Sequence, residues 1–180
     1  MDMRTTTTSF TLEFTGYLYA VGLRDAFADL IGRHEQLRTV YPLPGSSTAP
    51  RVLSATAAVV PRLVPVPVAA DELPEVIAEF LDEETTAALS LPVRGRMFRP
   101  LDGAEEAARH VLVVILGRAA VDQASPTDLA HDLMTAYAAR RRNIGPDWAA
   151  ARQPHRLCVH ELRGVRLVES TADPRADTYR

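Results

Sequence analysis

Between the apolar run 110–116 and the pair Ser125-Pro126 stands the segment Gly117-Arg118-Ala119-Ala120-Val121-Asp122-Gln123. A guanidinium stays protonated at any working pH, so Arg118 cannot serve as a general base. It can bind a carboxylate, a phosphate or a developing oxyanion. Other chemistry-bearing residues are less well arranged. His155, Cys158, His160 and Glu161 are close in sequence, but their spacing matches no zinc pattern. His110 and His131 have no second ligand at metal spacing. His34 stands at helical spacing from Ile31 and Phe27, as a histidine packed at a helix end does. Asp25, Asp29 and Glu35 fall near one helix, and Glu79, Asp82, Glu83 and Glu84 on another. Paired carboxylates can do acid–base work, but a solvated helix face accounts for both groups. Ser46-Ser47 has no histidine nearby in sequence, which leaves a serine nucleophile unsupported.

Composition removes several reaction classes. All 20 basic residues are arginine, against 23 acidic ones, for a net charge of −3. Without lysine there is no Schiff-base chemistry and no P-loop lysine. A mildly acidic chain is a poor non-specific binder of nucleic acid. The one cysteine, Cys158, allows neither an internal disulfide nor a cysteine-rich metal site. No cofactor and no metal are expected. The polar start Met1–Ser9 has no signal-peptide character. The strongest apolar run, Val111–Leu116, is far shorter than a membrane span of roughly 18 residues. A cytoplasmic protein without membrane contact is the expectation.

The elements around the loop follow from periodicity. Phe10, Leu12 and Phe14 alternate with Thr11 and Glu13, the pattern of a half-buried strand that stops near Gly16. Val21, Phe27, Leu30 and Ile31 predict a helix over Val21–His34. Strands are expected at Leu37–Tyr41, Arg51–Ala55 and Leu63–Val68, the last pushed toward an edge by Pro65 and Pro67. Asp71 is expected to cap a helix reaching Leu89. A strand at Arg94–Arg99 and a turn at Asp102-Gly103 precede the strand His110–Leu116, whose continuous apolar character predicts a central position. Ser125 and Pro126 open a helix to Arg142, where Arg140, Arg141 and Arg142 either balance the helix dipole or face an acidic partner. Leu157, Val159, Leu162, Val165 and Leu167 suggest a hairpin about Arg163-Gly164. The expected organisation is a disordered 1–8, one domain over 9–145, a divergent extension over 146–169 that carries strands, and a disordered tail over 170–180. The fold class is α/β (α+β), with a mixed, mainly antiparallel sheet and helices packed on it.

Several segments carry a resemblance. Arg33-His34-Glu35-Gln36-Leu37-Arg38-Thr39-Val40-Tyr41 resembles the RHExLRTxF motif of nonribosomal peptide synthetase condensation domains, members of the chloramphenicol acetyltransferase-like superfamily. Leu91-Pro92-Val93-Arg94-Gly95-Arg96-Met97-Phe98 is similar to the family's PLRARLF strand. Arg109–Leu116 resembles the strand that enters its active-site loop, and Leu129–Arg141 the helix LxxDLxxAYAAR that follows. The resemblance runs in order from Ser9 to Arg142. It implies a single lobe, the N-terminal one, of a two-lobed family.

In that family the loop reads HHxxxDG. Its second histidine positions or deprotonates the attacking amine or hydroxyl, and its aspartate pairs with an arginine. Here Gly117 and Arg118 stand at the histidine positions, Asp122 remains, Gln123 replaces the glycine, and Ser125 matches a serine that often follows. The resemblance implies an ion pair between Arg38 and Asp122. Ordinary condensation activity is not expected, and Arg118 is the one candidate for altered catalysis. Three functions are open. The first is an accessory module of natural-product assembly that binds a carrier protein, a synthetase module or its own copy. The second is a small enzyme of altered acyl-transfer, condensation or cyclisation chemistry, completed by self-association through the exposed inter-lobe face. The third is a vestigial synthetase fragment.

Overall fold

The computed structural model describes residues 8–42, 47–87, 92–101, 108–117, 120, 124–151 and 164–170. Its centre is the pair of strands β1 (Thr8–Thr15) and β6 (Arg109–Leu116), antiparallel with Thr8 opposite Leu116 and Thr15 opposite Arg109. Strand β5 (Val93–Leu101) pairs antiparallel with β6, and β7 (Val165–Ser170) antiparallel with β1. Strand β4 (Val66–Ala69) adds to β5 in parallel. The sheet order is β4-β5-β6-β1-β7, mixed and mainly antiparallel, as expected.

Two apolar layers explain the strand patterns. Helices α1 (Ala20–Arg33) and α3 (Pro126–Arg140) cover one face, packing Leu23, Phe27, Leu30, Leu129 and Leu133 with Phe10, Leu12, Phe14, Leu112 and Val114. Helix α2 (Leu73–Ala87) covers the other, packing Leu73 and Phe80 with Phe98, Val111, Val113 and Ile115. Strand β6 is therefore covered on both faces and is apolar from Val111 to Leu116. Strand β1 lies beyond the reach of α2, so its second face carries Thr11 and Glu13. Glu13 accepts from Arg109 Nε at 2.7 Å and from Arg166 Nη2 at 2.8 Å, tying β6, β1 and β7 across the sheet.

Several boundaries differ from the sequence reading. The expected strand Leu37–Tyr41 is a 3-10 turn, Glu35–Arg38, followed by the two-residue strand β2 (Thr39–Val40). The tight turn buries Leu37, which an extended segment does not require. Strand β2 pairs with β3 (Arg51–Val52), shorter than the expected Arg51–Ala55. Pairing of β4 begins at Val66 rather than Leu63, because the preceding segment crosses Gly95. A Cβ at Gly95 would lie 3.3 Å from Pro61 and 3.4 Å from Leu63. Asp71 does not cap α2. The Glu72 carbonyl accepts the first helical bond from Val76 N, at 3.1 Å.

Helix α3 begins as expected, with Ser125 Oγ accepting from Asp128 N at 3.1 Å and Pro126 in the first turn. It ends at Arg140 rather than Arg142, and the chain turns through Asn143 in the left-handed region, φ 55°. The short helix α4 (Trp148–Ala151) follows. At the expected hairpin, Gly164 has φ +84° and its carbonyl accepts from Thr15 N at 2.7 Å. The other arm of that hairpin, Leu157–Leu162, with Arg163, lies outside the described residues, as do Asp102-Gly103, Leu89 and the tail beyond Ser170.

Candidate functional site

The loop that follows β6 is fastened at three points. Gly117 N donates to Pro92 O at 2.9 Å, which holds the strand end against β5. Ala120 N donates to Gly117 O at 2.8 Å, and Ala120 is fully buried in the α1/α3 core. Ser125 closes the loop as the α3 cap. The loop thus leaves the central strand and turns into the first turn of a helix. Arg118, Asp122 and Gln123 lie outside the described residues. So do His155, Cys158, His160, Glu161 and Ser46, and the side chains of Glu83 and Glu84.

Arg38 is the last residue of the 3-10 turn Glu35–Arg38. Its Nη1 donates to Leu53 O at 2.6 Å, and Nη2 is 3.9 Å from Glu35 Oε2. Its Nε is buried and has no hydrogen-bond partner among the described residues. A buried guanidinium edge of this kind demands an acceptor.

The ends of the resemblance motifs are joined by charges between α1 and α3. His34 Nε2 lies 2.7 Å from Asp132 Oδ2, and Gln36 Nε2 3.3 Å from His34 Nδ1. Arg33 Nε approaches the same Asp132 oxygen at 3.0 Å, and its guanidinium lies 4.4 Å above the Trp148 ring. Farther along, Arg140 makes two bonds of 2.7 Å to Asp29. The sequence reading placed Asp29 on a solvated face; its side chain is 17% exposed and belongs to the helix interface. Arg140 is likewise committed to Asp29. Asp132 went unnoticed as a site residue. The available signal was spacing: Asp29 and Arg33 on one helix, Arg140 and Asp132 on another, opposite in charge and in antiparallel order.

His110, the second residue of β6, lies opposite Phe14, and its Nδ1 is buried without a partner among the described residues. Burial, with the nearby Arg99 charge, holds its pKa below the ordinary imidazole value. Among the described residues, no three His, Cys, Asp or Glu side chains group to hold a metal ion. No described helix is long and apolar enough to cross a membrane.

The sheet, its two helical layers and the loop leaving its central strand define a condensation-domain-like fold. VibH, a nonribosomal peptide synthetase condensation enzyme, superposes with a TM-score of 0.56 at 14% identity, over 78% of this chain and 32% of that one. The X-domain in complex with OxyB from teicoplanin biosynthesis superposes with a TM-score of 0.66 at 32% identity, over 80% of this chain and 30% of that one. In sequence, CymA of Salinispora arenicola, described as a probable non-canonical nonribosomal peptide synthetase, is 36% identical over 163 residues, 91% of this chain and 2% of the relative. The chain is a relative of the condensation-type proteins of nonribosomal peptide synthesis. It spans only a small fraction of such a synthetase. No family model matches it.

Proposed function

We propose that this protein is an accessory module of natural-product assembly that binds another protein and does not itself catalyse condensation. The observation that carries this reading is the pair Gly117-Arg118 at the end of β6, where the resemblance implies two histidines. An attacking amine or hydroxyl must lose a proton as it adds to an acyl carbon. Imidazole, with a pKa of about 6.5, can take that proton, whereas guanidinium cannot. The X-domain relative supports a binding role, since its structure is a complex with a second protein. Arg118 then holds an anionic group, such as a partner's carboxylate. Asp122 pairs with Arg38, a role that the unsatisfied Nε of Arg38 supports.

The test sets binding against turnover. Carrier proteins, synthetase modules and tailoring enzymes encoded near this protein are passed over the immobilised chain. An acyl-carrier and amine assay is run in parallel. Retention of one partner without amide formation supports the proposal. Amide formed above the enzyme-free rate overturns it, and so does failure to retain every partner. Light scattering after size exclusion separates self-association from partner binding: a stable dimer or trimer directs attention to a site between copies.

A further inference from the structure

One face of helix α1 is turned away from the core. The buried residues Gly22, Leu23, Ala26, Phe27, Leu30 and Ile31 occupy the inner side. At 3.6 residues per turn, Val21, Arg24, Asp25, Ala28 and Gly32 share an outer arc of about 100°. Val21 is 50% exposed, the Arg24 and Asp25 side chains are 64% and 38% exposed, and Ala28 is exposed.

Two features of this face do little for the single chain. Arg24 reaches sideways to its own neighbour: Nε and Nη2 both donate to Asp25 Oδ1, at 3.2 and 2.9 Å. Residues one apart on a helix do not face each other, and an exposed ion pair contributes little. The second feature is Gly32. Glycine disfavours a helix, yet a Cβ at Gly32 would meet only the Ala55 Cβ among the described residues, at 3.8 Å. Gly22 is the contrast, since a Cβ there would run into the Tyr19 ring. Packing within the chain accounts for Gly22 and not for Gly32.

We propose that this face is the interface of a homodimer, with α1 packed antiparallel on α1 of a second copy about a two-fold axis between Arg24 and Asp25. The face matches itself in that register. Arg24 meets Asp25 of the partner subunit, twice by symmetry, and Val21 meets the partner's Ala28, large against small. Gly32 then lies against the backbone that leads into the partner's α1, where a side chain would hold the helices apart. Ala28 and Gly32 bring the helix axes to the low end of the usual separation of about 8–10 Å. A shift of one residue either way sets Arg24 on Arg24 or Asp25 on Asp25. The outer side of α2 and its lead-in offers no such match: Asp71, Glu72, Glu75, Glu79 and Asp82 are all exposed, and two copies would repel. A partner of another sequence would not require the α1 face to be complementary to itself.

Light scattering after size exclusion reads the mass of the whole chain across concentration, from 19.7 kDa for one copy. The mass is expected to approach twice that value. Arg24→Asp and Asp25→Arg should each weaken the dimer about tenfold or more, because like charges then face each other. The double exchange Arg24→Asp/Asp25→Arg should restore it to within a few-fold, since both pairs re-form with their signs swapped. Gly32→Leu should also weaken the dimer about tenfold or more, while circular dichroism shows the native helix content. A monomer at every concentration overturns the proposal. A dimer left intact by Arg24→Asp overturns it by moving the contact to another surface. A double exchange that fails to restore the dimer, or a Gly32→Leu dimer of full strength, overturns the register.

Discussion

Arg140 and Asp29 meet fork to fork, Nε on Oδ2 and Nη2 on Oδ1, each at 2.7 Å. One helical turn along α1, Arg33 meets Asp132, two turns back along α3. The two pairs run in opposite charge order, which fixes the antiparallel register of the helices beneath the sheet. Sliding α3 by one turn would leave each acid facing an apolar or like-charged neighbour.

Removing one partner of the Arg140–Asp29 pair should therefore cost stability. Asp29→Ala and Arg140→Ala are each expected to lose about 1.5–3 kcal/mol, the range for hydrogen bonds to charged groups. In a double-mutant cycle by urea unfolding, the two losses should fall short of additivity. Arg140→Lys should recover less than half, since an ammonium cannot make the forked contact. Additive losses would show that the pair is not coupled.

Ser125 is a cap before it is anything else. Ser125→Ala should cost about 1 kcal/mol, and Ser125→Asp should retain most of it. Thermal unfolding of the two variants checks this. An unchanged midpoint in Ser125→Ala would mean that the Asp128 N bond contributes nothing.

Gly164 is the conformational hinge of β7. At φ +84° any other side chain is strained, and a Cβ there would lie 2.6 Å from the Thr15 carbonyl oxygen. Gly164→Ala should cost about 1–3 kcal/mol. The loss should be local, so hydrogen exchange is expected to speed up in β7 while β5 and β6 stay protected.

Acid should weaken the fold in two steps. His110 is held below its ordinary value of 6.5 by burial and then by Arg99. Burial alone would raise the Glu13 carboxyl, but the bonds from Arg109 and Arg166 outweigh it and hold the group below 4.5. In both cases the unfolded chain takes up its proton at a higher pH than the folded chain. Stability from these groups is complete above pH 6.5. It falls as pH drops below 6.5, through His110, and again below 4.5, through Glu13. Each group contributes a slope of at most about 1.4 kcal/mol per pH unit. Urea unfolding from pH 4 to 8 reads the profile, and His110→Leu should remove its upper limb.

The residues that were legible in the sequence are those whose pattern is local. Phe10, Leu12 and Phe14 announced β1, the unbroken apolar β6 announced a central strand, and Ser125-Pro126 announced the start of α3. What depended on partners distant in sequence was not legible. Leu37 belongs to a 3-10 turn because the core draws it inward, and Val66 begins β4 because Pro61 is occupied against Gly95. Asp29 looked like a solvated acid because its partner lies 111 residues away. The candidate loop was chosen from its neighbours in the motif order, whereas the Glu13 bonds to Arg109 and Arg166 join β1, β6 and β7, which no local window spans.

The place of β1 inside the sheet, between β6 and β7, has a kinetic consequence. Its pairing partners are β6 and β7, and the Glu13–Arg166 bond spans 153 residues of sequence. This strand thus waits for nearly the whole described chain before its backbone is satisfied. Such topology carries a high contact order and folds slowly. During synthesis Phe10, Leu12 and Phe14 form an exposed apolar ribbon, and the window of vulnerability to misassociation closes only after α3, which covers them together with α1, has left the ribosome.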